Sequence, residues 1–189
     1  MPICSIKGWS GINIDMEEDK IRLFDMVRRR DYNVLCPVSN KRETVTLYRD
    51  GKYGLGSTLD KDLAGHITAA QCETVETKTL TEIIDDSPFR DRQIDVLSID
   101  VEGMDYKVIS ALDFERYKPK VIIIEDHHRN IEDILKTDVY ALLINNAYVL
   151  RSWTFYSLIF VLPGSGILKD REKRRWNKMM LCIINNEFL

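Results

Sequence analysis

The sequence has no long apolar run, no paired cysteine motif and no surplus of positive charge, and each absence removes a class of protein. Its longest apolar stretch, around residues 155–162, is far short of the roughly 20 residues that span a bilayer. No amino-terminal secretory pattern is present, and no repeats or low-complexity linkers interrupt the chain. Cys4, Cys36, Cys72 and Cys182 are too scattered for a C-x-x-C metal or redox motif, and disulfide frameworks belong to smaller secreted chains. They read as reduced thiols, so a cytoplasmic location and no membrane association are expected. A net charge of -3 with a pI near 5.7 argues against wholesale nucleic-acid binding, which needs Lys and Arg in excess on one face. What is present suits one domain with a sizeable core: 189 residues, 44% hydrophobic and 30% charged.

The informative stretch is IDVLSIDVEGMD, residues 94–105. Val96, Leu97, Ile99 and Val101 form a short apolar run of the kind that is buried on both faces of a parallel sheet. Asp100, Glu102 and Gly103 follow at its carboxyl end, where open α/β sheets bind ligands. A helix cap at Asp100 and a solvated Glu102 are the alternative roles.

Strand and helix patterns alternate along the rest of the chain. Residues 12–15 read as a strand ending in Asp15, followed by a helix with acids in its first turn, Ile21, Phe24 and Val27 as its buried stripe, and Arg28, Arg29 and Arg30 in its last turn. Asp15 thus ends a strand, where Rossmann-like folds place an acid for ribose hydroxyls; its alternative is an N-cap. Val34, Leu35 and Cys36 form the next strand. Residues 44–48 alternate as a strand of a hairpin or excursion. Gly51, Gly54 and Gly56 lack G-x-G-x-x-G spacing and a Lys directly before Ser57, which excludes a phosphate loop.

Thr79 and Glu82 form a capping box for a short helix ended by Ser87 and Pro88. Residues 120–125, KVIIIE, repeat the buried-strand pattern and deliver Glu125, Asp126, His127 and His128 to its end. Asn130 caps one helix running to Asn145, and residues 147–150 and 156–162 form an antiparallel strand pair across a short link. The basic run from Lys169 to Lys178 reads as a helix with a solvated face.

Taken together, GWSGINID at 8–15, the loop at 54–58, IDVLSIDVEGMD at 94–105 and KPKVIIIED at 118–126 resemble the FkbM-type methyltransferase family. The resemblance covers residues 8–162 of a single domain spanning 1–189, leaving 163–189 as a basic helical extension. It implies an α/β, Rossmann-like class I sheet with helices on both faces, ending in the antiparallel pair. It also implies methyl transfer from S-adenosylmethionine to a hydroxyl of a small molecule such as a sugar or polyketide. Asp15 would hold the ribose, Ser39 would lie near the adenine, and Asp100 and Glu102 would line the space near the methyl group and acceptor. His127 and His128 are candidates for the base that accepts the acceptor proton. Asp100, Glu125 or Asp126 with a histidine could instead hold a divalent cation that polarises vicinal hydroxyls, but no metal site is predicted.

The family's first strand, glycine-rich turn and helix need more than the seven residues before GWSG, since a crossover takes at least about ten to twelve. The resemblance therefore implies the carboxyl-terminal portion of a longer methyltransferase, inactive or poorly active alone, with two unpaired inner strand edges. A non-catalytic remnant or partner subunit, completed by another chain or as a homo-oligomer, is the alternative. A metal-assisted α/β hydrolase using the same acids is a third reading.

Overall fold

The computed structural model describes residues 8–49, 57, 59, 71–101, 103–166 and 179–184. Glu102, the glycine-rich loop apart from Ser57, and the basic run at 167–178 lie outside them.

Strand β1 (Ser10–Asp15) leads into helix α1 (Glu18–Val27) and strand β2 (Tyr32–Leu35). The two strands pair in parallel, with Asp15 opposite Leu35. Five consecutive residues of β1 are buried, so both faces of the strand are covered. Helix α1 buries Ile21 and Phe24 but leaves Val27 67% exposed, which corrects the expected stripe. The helix stops there. Arg28 is its C-cap and pairs with Asp31 at 2.5 Å, so the three arginines do not form a last turn.

Strands β3 (Thr44–Arg49) and β4 (Gln71–Glu76) form a separate antiparallel ladder, the expected excursion. Helix α2 (Leu80–Asp86) starts on the Thr79 and Glu82 capping box and buries Leu80, Ile83 and Ile84. Strand β5 (Val96–Asp100), helix α3 (Asp105–Ser110) and strand β6 (Val121–Glu125) follow, and β6 lies parallel to β5. The expected single helix after Asn130 is two: α4 (Ile131–Ile134), capped by Asn130, and α5 (Asp138–Asn145), capped by Thr137. The Thr137 hydroxyl accepts the Tyr140 N–H and restarts the helix. Strands β7 (Val149–Thr154) and β8 (Ser157–Val161) form the antiparallel pair, joined at Phe155 and Tyr156.

The chain does not end its sheet there. Strand β9 (Met179–Ile184) lies within the stretch expected to be helical, and it runs parallel between β1 and β5. The seven-stranded order is β2-β1-β9-β5-β6-β8-β7. The two inner edges expected to be unpaired are therefore both paired, and the antiparallel pair is the sheet's edge rather than its last addition.

Packing explains the placement. Met179 and Leu181 are fully buried, Leu181 level with Ile12 and Leu97, and burying side chains of this size stabilises by roughly 1.5–3 kcal/mol each. Asp95, also fully buried, fixes the start of β9. One carboxylate oxygen accepts the Met179 N–H at 3.0 Å and the other meets Lys120 Nζ at 2.6 Å. Around the sheet, Ile83, Ile84, Ile109, Leu143 and Phe160 belong to the same apolar core.

Candidate active site

The parallel strands end along one edge, and Asp15, Asp100 and Glu125 stand there. Ile14 pairs with Ile183 and Asp100 with Ile184, so Asp15 and Asp100 stand at one level on either side of β9. Two strand spacings separate their backbones, about 9–10 Å.

Asp15 is closed in. Its carboxylate has no exposed surface; Oδ1 accepts the Glu17 N–H at 2.8 Å, and Lys20 Nζ lies 3.6 Å from Oδ2. Burial pushes its pKa up to about 6, against the opposing pull of Lys20. Glu17 is the N-cap residue of α1, without a side-chain cap, so Asp15 organises the turn before the helix rather than capping it. Lys20 was not singled out in the sequence. Its spacing, five residues after an acid and in the first turn of a helix, is the signal that would have found it.

Ser39 follows β2 but does not open outward. It is 4% exposed, its N–H donates to the Lys78 carbonyl at 3.0 Å, and its hydroxyl lies 3.4 Å from Asn40 Oδ1. It stands beyond β2, on the far side of β1 from Asp100.

The turn after β5 is shaped by two residues. Gly103 has φ of +85°, a left-handed conformation that explains glycine at this point of the motif. Asp105 reaches back: one carboxylate oxygen accepts the Val101 N–H at 3.3 Å and the other accepts the Gly103 N–H at 3.2 Å. Burial raises the Asp105 pKa to about 6, with the Asp100 charge adding to the rise. Asp105 is thus a clamp on the strand-end turn that sequence reasoning assigned no role.

The residues after β6 form two acid–imidazole pairs. Glu125 Oε2 lies 3.2 Å from His127 Nε2, and Asp126 Oδ1 lies 2.8 Å from His128 Nδ1. The same Asp126 oxygen accepts the His128 N–H at 2.8 Å, so a local turn fixes the second pair. A carboxylate can only accept, so the His128 Nδ1 facing it carries the proton and Nε2 is left as the basic nitrogen. Both rings are about half exposed while their acids are nearly buried. A cavity of about 560 Å³ opens beside them, bounded by Gly103, Asp105 and Tyr106 on one side and by Thr137 and Asp138 on another.

The structure thus brings Asp105, Glu125, Asp126, His127 and His128 to one cavity, places Asp100 at the adjoining strand end, and keeps Asp15 and Ser39 apart and covered. Among the described residues, no group of three or more His, Cys, Asp or Glu side chains is arranged to hold a metal ion, and no helix is long and apolar enough to cross a membrane.

The sequence matches the family described as the methyltransferase FkbM domain over residues 3–150. No curated protein and no solved structure matches it.

Proposed function

The chain belongs to the methyltransferase FkbM domain family, and from that premise we propose that it is an S-adenosylmethionine-dependent O-methyltransferase of the class I fold, acting on a hydroxyl of a small molecule such as a sugar or polyketide. The observation that carries the reading is the Asp126–His128 pair, at 2.8 Å, on the wall of a cavity at the carboxyl edge of parallel strands.

Asp15 Oδ2 is buried without a hydrogen-bond partner, 3.6 Å from Lys20, an acceptor that a ribose hydroxyl would satisfy. Asp15 would hold the ribose once Lys20 moves aside, and Ser39 would border the adenine side. When bound, the cofactor supplies an electrophilic methyl group.

The chain's own work is on the acceptor. His128 Nε2 takes the proton of the acceptor hydroxyl, and Asp126 fixes the tautomer and stabilises the imidazolium that results. Glu125 orients His127 at the cavity mouth. Asp100, with Glu102 beyond it in sequence, borders the space between cofactor and acceptor. Asp105 holds the turn that sets this border. Positioning of this kind supplies much of the acceleration in bimolecular transfers.

One observation favours a second reading, a non-catalytic relative: the Asp15 carboxylate is wholly covered. Incubation with methyl-labelled S-adenosylmethionine and a panel of hydroxylated acceptors separates the two. Label transfer that His128→Gln abolishes supports the enzyme; no transfer to any acceptor supports the relative.

A further inference from the structure

The tip of the β7–β8 hairpin stands beside the carboxyl end of β6, since Ser157 pairs with Glu125. A second concavity, of about 250 Å³, lies there between Arg129, Trp153 and Phe155. Phe155 sits in the turn with φ of +55°, where Gly or Asn is favoured, yet it carries a side chain that is 70% exposed. Trp153 Nε1 donates to the Phe155 carbonyl at 3.2 Å and braces that turn.

Arg129 supplies the charge. Its guanidinium lies 5.5 Å from the Phe155 centroid and 5.0 Å from that of Tyr156, and donates to the Tyr156 hydroxyl at 3.2 Å. A guanidinium held over rings keeps the N–H groups along its edge, and a carboxylate takes two of them at once. Arg28, Arg42 and Arg116 each meet a carboxylate at 2.5–2.6 Å, whereas Arg129 meets ring faces and a hydroxyl and, among the described residues, no acid. The acids of the neighbouring cavity have their own partners: Asp126 has His128, Glu125 has His127, and Asp133 has Asn130 and Lys136. Tyr156 meets the His127 ring edge-on at 5.7 Å, and its carbonyl accepts the Asp126 N–H at 2.9 Å. The hairpin tip is therefore tied to the segment that carries the proposed base.

We propose that this concavity binds the ring and carboxylate of an aromatic hydroxy acid and that such an acid is the acceptor, a proposal that rests on the methyl-transfer reading given above. The ring lies against Trp153 and Phe155, and the edge of Arg129 takes the carboxylate. The volume holds a single ring, below the range of pockets that enclose larger ligands. One guanidinium, beside a cavity lined by Asp105, Asp126 and Asp138, matches a single negative charge and disfavours a dianion such as a phosphate monoester. The hydroxyl is directed to that cavity, where a phenol suits an imidazole base: its pKa of about 10 lies within reach of a histidine, unlike that of an aliphatic alcohol. The phenol gives its proton to His128 Nε2, its oxygen takes the methyl group, and the bonding pair stays on the donor's sulfur.

The test is a calorimetric titration of the full chain, alone and with S-adenosylhomocysteine present, with the isomeric hydroxybenzoates, their amides and phenyl phosphate. Saturable binding of a hydroxybenzoate, weakened about tenfold or more both in its amide and in Arg129→Gln, supports the site, with Arg129→Lys falling between. Binding of the amide should be indifferent to Arg129→Gln, which separates loss of the charged contact from misfolding. Phe155→Gly, which relieves the turn, should weaken acid and amide alike. An amide that binds as tightly as its acid, acid binding that Arg129→Gln retains, tighter binding of phenyl phosphate, or no hydroxybenzoate binding at all overturns the proposal. Mass spectrometry after addition of S-adenosylmethionine separates this claim from the reading beneath it. A methylated hydroxybenzoate supports both. Methyl transfer to other acceptors alone overturns the acceptor role and leaves the enzymatic reading intact; hydroxybenzoate binding by a chain that never transfers methyl keeps the aromatic-acid site and sinks that reading.

Discussion

Asp95 engages both backbone polar groups of Met179: its carboxylate accepts the Met179 N–H at 3.0 Å, and its own N–H donates to the Met179 carbonyl at 2.9 Å. Lys120 completes the arrangement with an ion pair of 2.6 Å. A wholly buried carboxylate is stable only when its oxygens are engaged, and here the engagement seats a strand arriving from far along the chain. The sheet is continuous because of that seat.

Asp95→Ala should therefore destabilise strongly. It removes the carboxylate that pairs with the Lys120 ammonium, 13% exposed, and frees the first N–H of β9; breaking a buried pair on one side costs about 3–5 kcal/mol. Urea denaturation would show the midpoint falling, and Asp95→Ala with Lys120→Met should recover part of the loss. A single-mutant cost in the range of surface substitutions would mean that β9 is not held this way.

Gly103→Ala should cost about 1–2 kcal/mol through the backbone alone. The residue has φ of +85°, and an added Cβ would meet nothing within 4 Å. A larger loss in a denaturant titration would require a steric contact that is absent from this turn.

Asp105 makes stability depend on pH with a definite sign. Its pKa is about 6 in the folded chain against an ordinary 3.8, because burial disfavours the charged form. Below the lower value both states are protonated; between the two the unfolded chain ionises first, so stability falls as pH rises through that window. A shift of this size corresponds to roughly 3 kcal/mol. Denaturation at pH 4 and pH 6.5 should show Asp105→Asn losing less stability across that interval than the parent chain. Asp15, raised for the same reason, contributes a slope of the same sign. A parent chain that gains stability over this range beyond what other carboxylates explain would contradict the burial argument.

Local signals were legible in the sequence and long-range ones were not. The Thr79 and Glu82 box and the Asn130 cap involve residues three apart, and both form as read. The Thr137 cap is equally local, but the apolar spacing on either side of it reads as one helix, and residues 135–137 break it. Strand β9 is a six-residue apolar run, a length at which strand and helix are indistinguishable by periodicity, and the basic residues ahead of it favoured helix. Nothing local says that such a run inserts between β1 and β5; that follows from Asp95, Ile12 and Leu97, which lie far away in sequence. Asp15, Asp100 and Glu125 stand at strand ends as read, because strand ends are recognisable in a sequence. The burial of Asp15 under Lys20 and the clamp role of Asp105 depend on side-chain placement and were not.

His128→Gln should lower methyl transfer by about 10²- to 10⁴-fold, the usual contribution of a general base, while the thermal midpoint stays close to that of the parent. Asp126→Asn should lower the rate and shift its pH dependence, since the partner that fixes the imidazole tautomer is changed. Asp100→Asn should impair turnover more than folding. If Asp100→Asn simply melts, or if His128→Gln retains full turnover, these side chains serve the fold rather than the chemistry.

The measurement closest to the central claim is calorimetric titration of the folded chain with S-adenosylmethionine, with S-adenosylhomocysteine in parallel and Asp15→Ala alongside. The account predicts saturable binding of both ligands, weakened in Asp15→Ala by about 1.5–3 kcal/mol, the value of hydrogen bonds to a charged group. Absence of binding by a chain that circular dichroism shows to be folded, or affinity unchanged by Asp15→Ala, would contradict it.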